Sequence, residues 1–251
     1  MDKYGKIGIF DSGIGGATVL KEILKVLPNE EYIYYSDSKN NPYGDKSEEE
    51  LFNICDEIVN YLVKKKCKVI VIGCNTASCL VAEELRKKYK KIPIIAIEPA
   101  YKMVYDLAYE KPTLIMATKG TIESKKFKDL YKKYNNNNTY LMICNGLADI
   151  IEKNEQDEIK KYLNLTLLKY KGKVQNVVLG CTHYPLIKEE ITQVLGKVDF
   201  FYGSFALANH LKKMLENYNL INLECEKSSI EFIDSSNLKI KQRRFERLLD
   251  N

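Results

Sequence analysis

The feature that most constrains this chain is a motif that occurs twice. Val71-Ile72-Gly73-Cys74-Asn75-Thr76 returns 107 residues later as Val178-Leu179-Gly180-Cys181-Thr182-His183. Each copy is an apolar run that stops at a glycine and passes into a cysteine and small or polar residues. Short apolar runs rich in β-branched residues read as buried strands. The segments that follow, 77–89 and 184–195, read as helices. Each cysteine is therefore expected at the carboxyl end of a parallel strand, where open α/β sheets place their ligands.

The same offset relates other positions. Gly13 maps to Gly120, Leu20 and Ile23 to Phe127 and Leu130, Tyr35 and Asp37 to Met142 and Cys144. The expected fold is α/β: two pseudo-symmetric open α/β domains with mostly parallel sheets and the active site in the cleft between them. Residues 1–97 plus 208–251 are expected to form the first domain and 98–207 the second. The tail carries a helix, a strand near 230–233 and a charged terminal helix, and is expected to pack back on the first half. Strands are expected at 7–10, 32–35, 69–72 and 94–97, then at 114–117, 140–143, 177–179 and 200–202. Helices are expected at 17–26, 47–65, 148–153 and 155–170. Ser47 with Glu50 three residues on is a capping-box signature, and the four asparagines at 135–138 read as a turn.

Composition narrows the class. Apolar content of 45% with 29% charged residues is ordinary for a soluble globular chain. The net charge of +5 comes from Lys and Glu mixed along the helices, with no basic stripe that interleaves aromatics. That pattern reads as a solvated surface, and no nucleic-acid partner is expected. No apolar run approaches the roughly 18 residues of a membrane helix, and no signal peptide is visible. Seven cysteines, an odd count, then point to a cytoplasmic protein with reduced thiols.

A thiolate is a good base and nucleophile when its pKa is lowered, and a helix start lowers it. Cys74 and Cys181 are both expected to gain from such a place. Asn75, Thr76 and Thr182 beside them suit the holding of a carboxylate. Cys55, Cys67, Cys79, Cys144 and Cys225 lack that context and read as packing residues. No CxxC-type spacing exists, so no metal site is expected. A Cys–His hydrolase with Cys74 as nucleophile and His183 as base leaves Cys181 without a role. Asp11-Ser12-Gly13-Ile14-Gly15-Gly16 is a glycine-rich strand-to-helix turn able to offer N–H groups to an anion. It is neither GxGxxG nor a P-loop. Asp11 and Glu152 are acids at element ends in opposite halves. His183 is a proton partner or orienter for Cys181, and His210 is given no role.

Five motifs, taken together, resemble those of glutamate racemase, a member of the aspartate/glutamate racemase superfamily. They are Asp11-Ser12-Gly13-Ile14-Gly15-Gly16, Asn41-Pro42-Tyr43-Gly44-Asp45-Lys46-Ser47, Cys74-Asn75-Thr76-Ala77-Ser78, Ile97-Glu98-Pro99-Ala100 and Gly180-Cys181-Thr182-His183-Tyr184-Pro185-Leu186. The resemblance runs from about Lys6 to Phe205 and implies a cofactor-independent two-base racemase that supplies D-glutamate for peptidoglycan. It implies Cys74 and Cys181 as acid/bases, with Asp11 assisting the first and Glu152 and His183 the second. Asp11, Ser12, Tyr43, Gly44, Asn75, Thr76, Thr182 and His183 match its substrate-binding positions. The expected partner is glutamate, no cofactor is needed, and a homodimer is compatible with the family. The chain departs from the family in reading Cys144-Asn145-Gly146 before the Glu152 segment and Tyr202-Gly203-Ser204 late in the second half. Two alternatives stand beside this reading: the same machinery acting on aspartate or a broader set, and a glutamate-binding regulator without turnover.

Overall fold

A computed structural model describes residues 2–108, 110–135, 137–222 and 224–250. The asparagine turn at 135–138 includes Asn136, which lies outside the described residues. The first half contains β1 (Ile7–Asp11), α1 (Ala17–Val26), β2 (Glu31–Ser36), α2 (Glu48–Lys64), β3 (Val69–Ile72), α3 (Asn75–Leu80), α4 (Ala82–Lys88) and β4 (Ile94–Ala96), and α5 (Tyr101–Ala108) opens the second. Then come β5 (Thr113–Ala117), α6 (Lys119–Glu123), α7 (Lys125–Tyr134), β6 (Thr139–Ile143), α8 (Leu147–Lys153), α9 (Gln156–Leu167), β7 (Asn176–Gly180), α10 (Lys188–Leu195) and β8 (Asp199–Phe201). The tail supplies α11 (Ser204–Asn217), β9 (Ser229–Asp234) and α12 (Lys239–Asp250).

The strands form two sheets whose pairings are all parallel. One has the order β4-β3-β1-β2-β9 and the other β6-β5-β7-β8. Read from β8, the second order repeats the first without β9. The duplication seen in the sequence is thus a duplication of topology.

Every residue of β1, β3, β5 and β7 is buried, as parallel strands covered by helices on both faces must be. Successive side chains feed opposite faces. Ile7, Ile9, Val69 and Val71 join one core with α1 and α11, while Phe10, Ile70 and Ile72 join another with α2. Leu114 and Met116 face α8 and α9, whereas Ile115 and Ala117 face α5 and α7. Ser47 caps α2 by accepting a hydrogen bond from the Glu50 amide at 3.1 Å, which satisfies one otherwise free donor of the first turn.

The tail returns to the first sheet. β9 pairs with β2, placing Phe232 opposite Tyr34. From α12, Phe245 lies 4.4 Å from the Tyr34 ring and 4.5 Å from Phe232, ring centre to ring centre. Several elements depart from expectation. The helix expected over 77–89 starts at Asn75 and is interrupted at Val81, where φ is −125°. The segment 184–195 opens as a 3-10 turn, Tyr184–Ile187, with Pro185 in it, before α10 begins. The helix expected to Tyr170 ends at Leu167 and tightens into a 3-10 turn. Helix α5 was not foreseen. Among the described residues no helix is long and apolar enough to cross a membrane.

Candidate active site

Strand ends bring the sequence-predicted residues together in two layers. Ser12, Tyr43, Gly44, Cys74, Asn75, Thr76 and Cys181 line one narrow cavity of about 30 Å³ between the two units. Behind them sit Asp11, Thr182, His183 and Glu152, all buried. Cys74 follows β3 as the residue before α3, and Cys181 follows β7. The thiol of Cys74 donates to Ser12 Oγ at 3.9 Å.

The rear layer is a chain of polar contacts that crosses between the units. Cys181 Sγ lies 3.7 Å from His183 Nδ1. His183 Nε2 lies 2.8 Å from Glu152 Oε2, and the same oxygen accepts from the Ile14 amide at 3.0 Å. Asp11 Oδ1 accepts from the Gly13 amide at 3.0 Å, and Oδ2 accepts from the Thr182 hydroxyl at 3.0 Å. No hydrogen bond joins Asp11 to Cys74; the two meet through electrostatics alone, and the carboxylate raises the thiol. The Asn145-Gly146 departure does not displace Glu152, because α8 still starts at Leu147 and carries it inward.

Glycines let the loop 13–16 lie flat against this layer. A Cβ on Gly13 would meet Glu152 Oε2 at 2.5 Å, and one on Gly15 would meet His183 Nδ1 at 2.5 Å. The glycine-rich turn thus packs directly against Glu152 and His183 of the other unit.

Burial sets the direction for Cys74 and Asp11, and polar partners set it for Glu152 and His183. It pushes the Cys74 thiol well above its usual range, and the nearby Asp11 and Cys181 add to this; the backbone hydrogen bond at Ala77 and the Ser12 hydroxyl oppose it. At Cys74, which is 5% exposed, desolvation of the thiolate outweighs the few aligned N–H groups at the helix start. Burial also pushes the Asp11 carboxyl up, against the pull of His183, Thr182 and Gly13. Glu152 goes the other way. Burial alone would raise it, but His183 and Lys241 hold it down to about 2. Burial alone would lower the His183 imidazole, yet its contacts with Cys181 and Glu152 raise it well above the usual histidine range.

A family model for Asp/Glu/Hydantoin racemase matches residues 8–210. A glutamate racemase of Clostridium perfringens is 41% identical over 238 residues, which cover 93% of this chain and 92% of that protein. The chain belongs to the glutamate racemase family. A glutamate racemase of Clostridium botulinum is 42% identical over 242 residues, 94% of each chain. Among solved structures, the Bacillus anthracis isoform RacE1 superposes with a TM-score of 0.85 at 27% identity, covering 99% of this chain and 95% of that one. The Francisella tularensis glutamate racemase in complex with D-glutamate gives 0.83 at 29% identity, with 99% and 95% covered.

Within this family framework, the cavity also has walls that motif reading passed over. Thr118, Lys119, Cys144, Asn145, Gly146 and Asp149 line it as well. The 107-residue offset carries Asp11 to Thr118 and Ser12 to Lys119, so the repeat held the signal for both. Thr118 caps α6, and its hydroxyl lies 2.9 Å from that of Thr76 across the cleft. Cys144, read as a packing residue, is buried in the wall itself. Cys225, read likewise, is half-buried with its thiol donating to the Lys227 carbonyl at 3.1 Å. Tyr43 donates its hydroxyl to Asp37 at 2.6 Å, so Asp37 fixes that wall.

Proposed function

We propose that the protein interconverts L- and D-glutamate by a two-base mechanism without a prosthetic group. The observation that supports this best is the pair of thiols, Cys74 and Cys181, delivered by equivalent strand ends of the two units to one cavity. Racemisation through a planar, carbanion-like state needs one group to take the α-proton on one face and another to return a proton on the opposite face. In this reading Cys74 and Cys181 exchange those roles with the direction of reaction.

The burial of Cys74 favours its neutral thiol at rest, the form that returns a proton. Cys181 passes its own proton from Sγ to His183 Nδ1, leaving a thiolate and an imidazolium. The imidazolium keeps its Nε2–H bonded to the Glu152 carboxylate. Asp11 raises the basicity of Cys74 electrostatically when that residue acts as base. Ser12, Asn75, Thr76 and the main chain at Tyr43-Gly44 line the substrate space, where prearranged donors stabilise developing charge. Lys119, exposed at the cavity wall, suits a second carboxylate and supports glutamate over a monoacid. Thr182 and His183 serve from behind the wall by holding Asp11 and Cys181.

The test is α-proton exchange in D2O. Pure protein, with no added cofactor, is incubated with each enantiomer of glutamate, and loss of the α-proton signal and of optical rotation are followed. Deuterium incorporation with inversion is expected from both, and Cys74→Ser and Cys181→Ser are each expected to lower it by roughly 10²–10⁴-fold, the usual weight of a positioned acid/base. Undiminished racemisation by Cys74→Ala would sink the two-base assignment. Kinetic comparison with aspartate and other amino acids tests the breadth of substrate, and glutamate binding without turnover would favour a regulator.

The same reading carries the division into domains at 1–97 plus 208–251 and 98–207, supported by the separate cores of the two sheets. Helix α11 begins at Ser204, so the second boundary runs through its first turn. Supply of D-glutamate to peptidoglycan follows from the family, and D-glutamate dependence on depletion of the protein tests it. Seven free cysteines support a reducing, cytoplasmic setting. Association as a homodimer is tested by sedimentation.

A further inference from the structure

The terminal helix does more than cover the first sheet. Lys241 and Arg244 stand one turn apart on α12, on one face, and both reach across to α8 in the other unit. Lys241 Nζ donates to Glu152 Oε1. Arg244 donates to the Glu152 carbonyl and, at 2.6 Å, to the Ile151 carbonyl, with a further contact to Asn154 Oδ1 at 3.3 Å. These carbonyls close the last turn of α8, where a cation is favoured by the helix dipole. Phe245, four residues after Lys241 and so beside it on the helix surface, is 1% exposed and seats α12 on Tyr34 and Phe232 of the first sheet.

Glu152 therefore uses its two carboxylate oxygens for separate tasks. Oε2 faces the reaction side, taking His183 and the Ile14 amide. Oε1 faces α12, taking Lys241, with Ser38 at 3.5 Å. The Lys241 side chain is 17% exposed and the Glu152 side chain 3%, so the ion pair is little screened. We infer that Lys241 is a positioning residue for the reaction: acting through Glu152, it holds the His183 imidazole in the tautomer and orientation that serve Cys181. This rests on the two-base reading proposed above.

The reasoning is electrostatic. When Cys181 gives its proton to His183 Nδ1, the imidazolium must keep its Nε2 proton. A buried carboxylate facing one imidazole competes for that proton. An ammonium on its far oxygen lowers the basicity of the carboxylate and removes the competition, so Glu152 stays an acceptor throughout. Other groups also face Glu152: Asp11 from β1, Tyr34 from β2, Arg244 from α12, and Asp234 at the end of β9 through Ser38. Asp11 is a like charge and opposes the Glu152 carboxylate; Asp234 reaches it only through the Ser38 hydroxyl; Arg244 bonds the main chain; Lys241 is the cation on the carboxylate itself.

The experiment compares wild type, Lys241→Met and Lys241→Arg. For enantiomers the equilibrium constant is one, so kcat/KM falls equally in both directions and its size alone decides nothing. The pH profile decides. In Lys241→Met the acid limb of kcat/KM should move to higher pH by roughly 1–3 units, the weight of one neighbouring charge, and Lys241→Arg should restore it. A limb that stays in place in Lys241→Met, or that moves equally in Lys241→Arg, overturns the proposal, since a helix held only for stability would lower activity at every pH. A second readout needs no turnover. The chain has two histidines, so 15N-labelled imidazoles, assigned with His210→Gln, report His183 directly. Its Nε2 resonance should titrate with the limb in Lys241→Met and stay constant over that range in wild type. Identical behaviour in both proteins overturns the proposal. Should Lys241→Met fail to fold, Lys241→Gln takes its place. Lys241-dependent titration without racemisation of any amino acid would instead refute the racemase reading and leave the Lys241 contact standing.

Discussion

At the scale of single residues, the site depends on atoms that are absent. Gly15 lies against His183 so closely that a methyl group there would sit 2.5 Å from Nδ1. The ring cannot yield freely, because Glu152 holds its other nitrogen at 2.8 Å. Gly15→Ala should therefore tilt the imidazole away from Cys181. Overpacking of this kind costs about 1–3 kcal/mol, and a displacement near 1 Å at a reacting group can cost on the order of 10²-fold in rate. Thermal unfolding and racemisation rates measure the two effects; an unchanged rate would mean that His183 does not need its present position. Cys74 and Cys181 were legible because a repeated motif marks them twice. Thr118 was legible in the same offset, from Asp11, yet threonine after a strand attracts no notice on its own. The direction of the Cys74 shift was not legible. It depends on complete burial, which is a property of how the two units meet and not of the helix that follows.

At the scale of elements, the central strands β1, β3, β5 and β7 were read closely because parallel strands buried on both faces are continuous apolar runs. Helix α5 escaped because its buried face is only Tyr101 and Val104, too few positions to show a period. The break at Val81 escaped because both flanking segments keep helical spacing. Helix α12 was read as charged and terminal, and its lysines as a solvated face. No local pattern distinguishes Lys241 from its neighbours, since its partner lies 89 residues away in sequence. What anchors α12 is Phe245, packed on Tyr34 and Phe232. Phe245→Ala should cost about 3–5 kcal/mol, read by urea denaturation. It should also lower racemisation in the folded fraction, because the helix that carries Lys241 and Arg244 loses its seat. A stability loss with full activity would separate α12 from the site.

At the scale of the whole molecule, Glu152 is a joint between the two units, and this has a consequence for stability against pH. Its carboxylate on α8 receives the Ile14 amide and Lys241 from the first unit and His183 from its own. The folded protein holds it at about 2, against 4.5 for the unconstrained group. A lowered folded value stabilises the fold above the unfolded value, and the contribution is lost as pH falls from about 4.5 to about 2. The full difference is on the order of 3 kcal/mol. Asp11 works against it. Burial raises its folded value, so its charge costs stability at neutral pH and the cost is relieved on acidification. His183, raised in the fold, stabilises below its unfolded value, and that contribution fades only as pH rises through its higher folded value. Asp11 is relieved as pH falls through its raised folded value toward 3.8, so it offsets Glu152 only at the top of the window, and below that the slope from this pair is Glu152 alone. Glu152→Gln removes the Glu152 contribution and leaves that of Asp11. Wild type should lose unfolding free energy on acidification through this window, whereas Glu152→Gln should start lower near neutrality and change less or reverse its slope. Parallel curves for the two proteins, by urea denaturation at a series of pH values, would show that the joint between the units is made elsewhere.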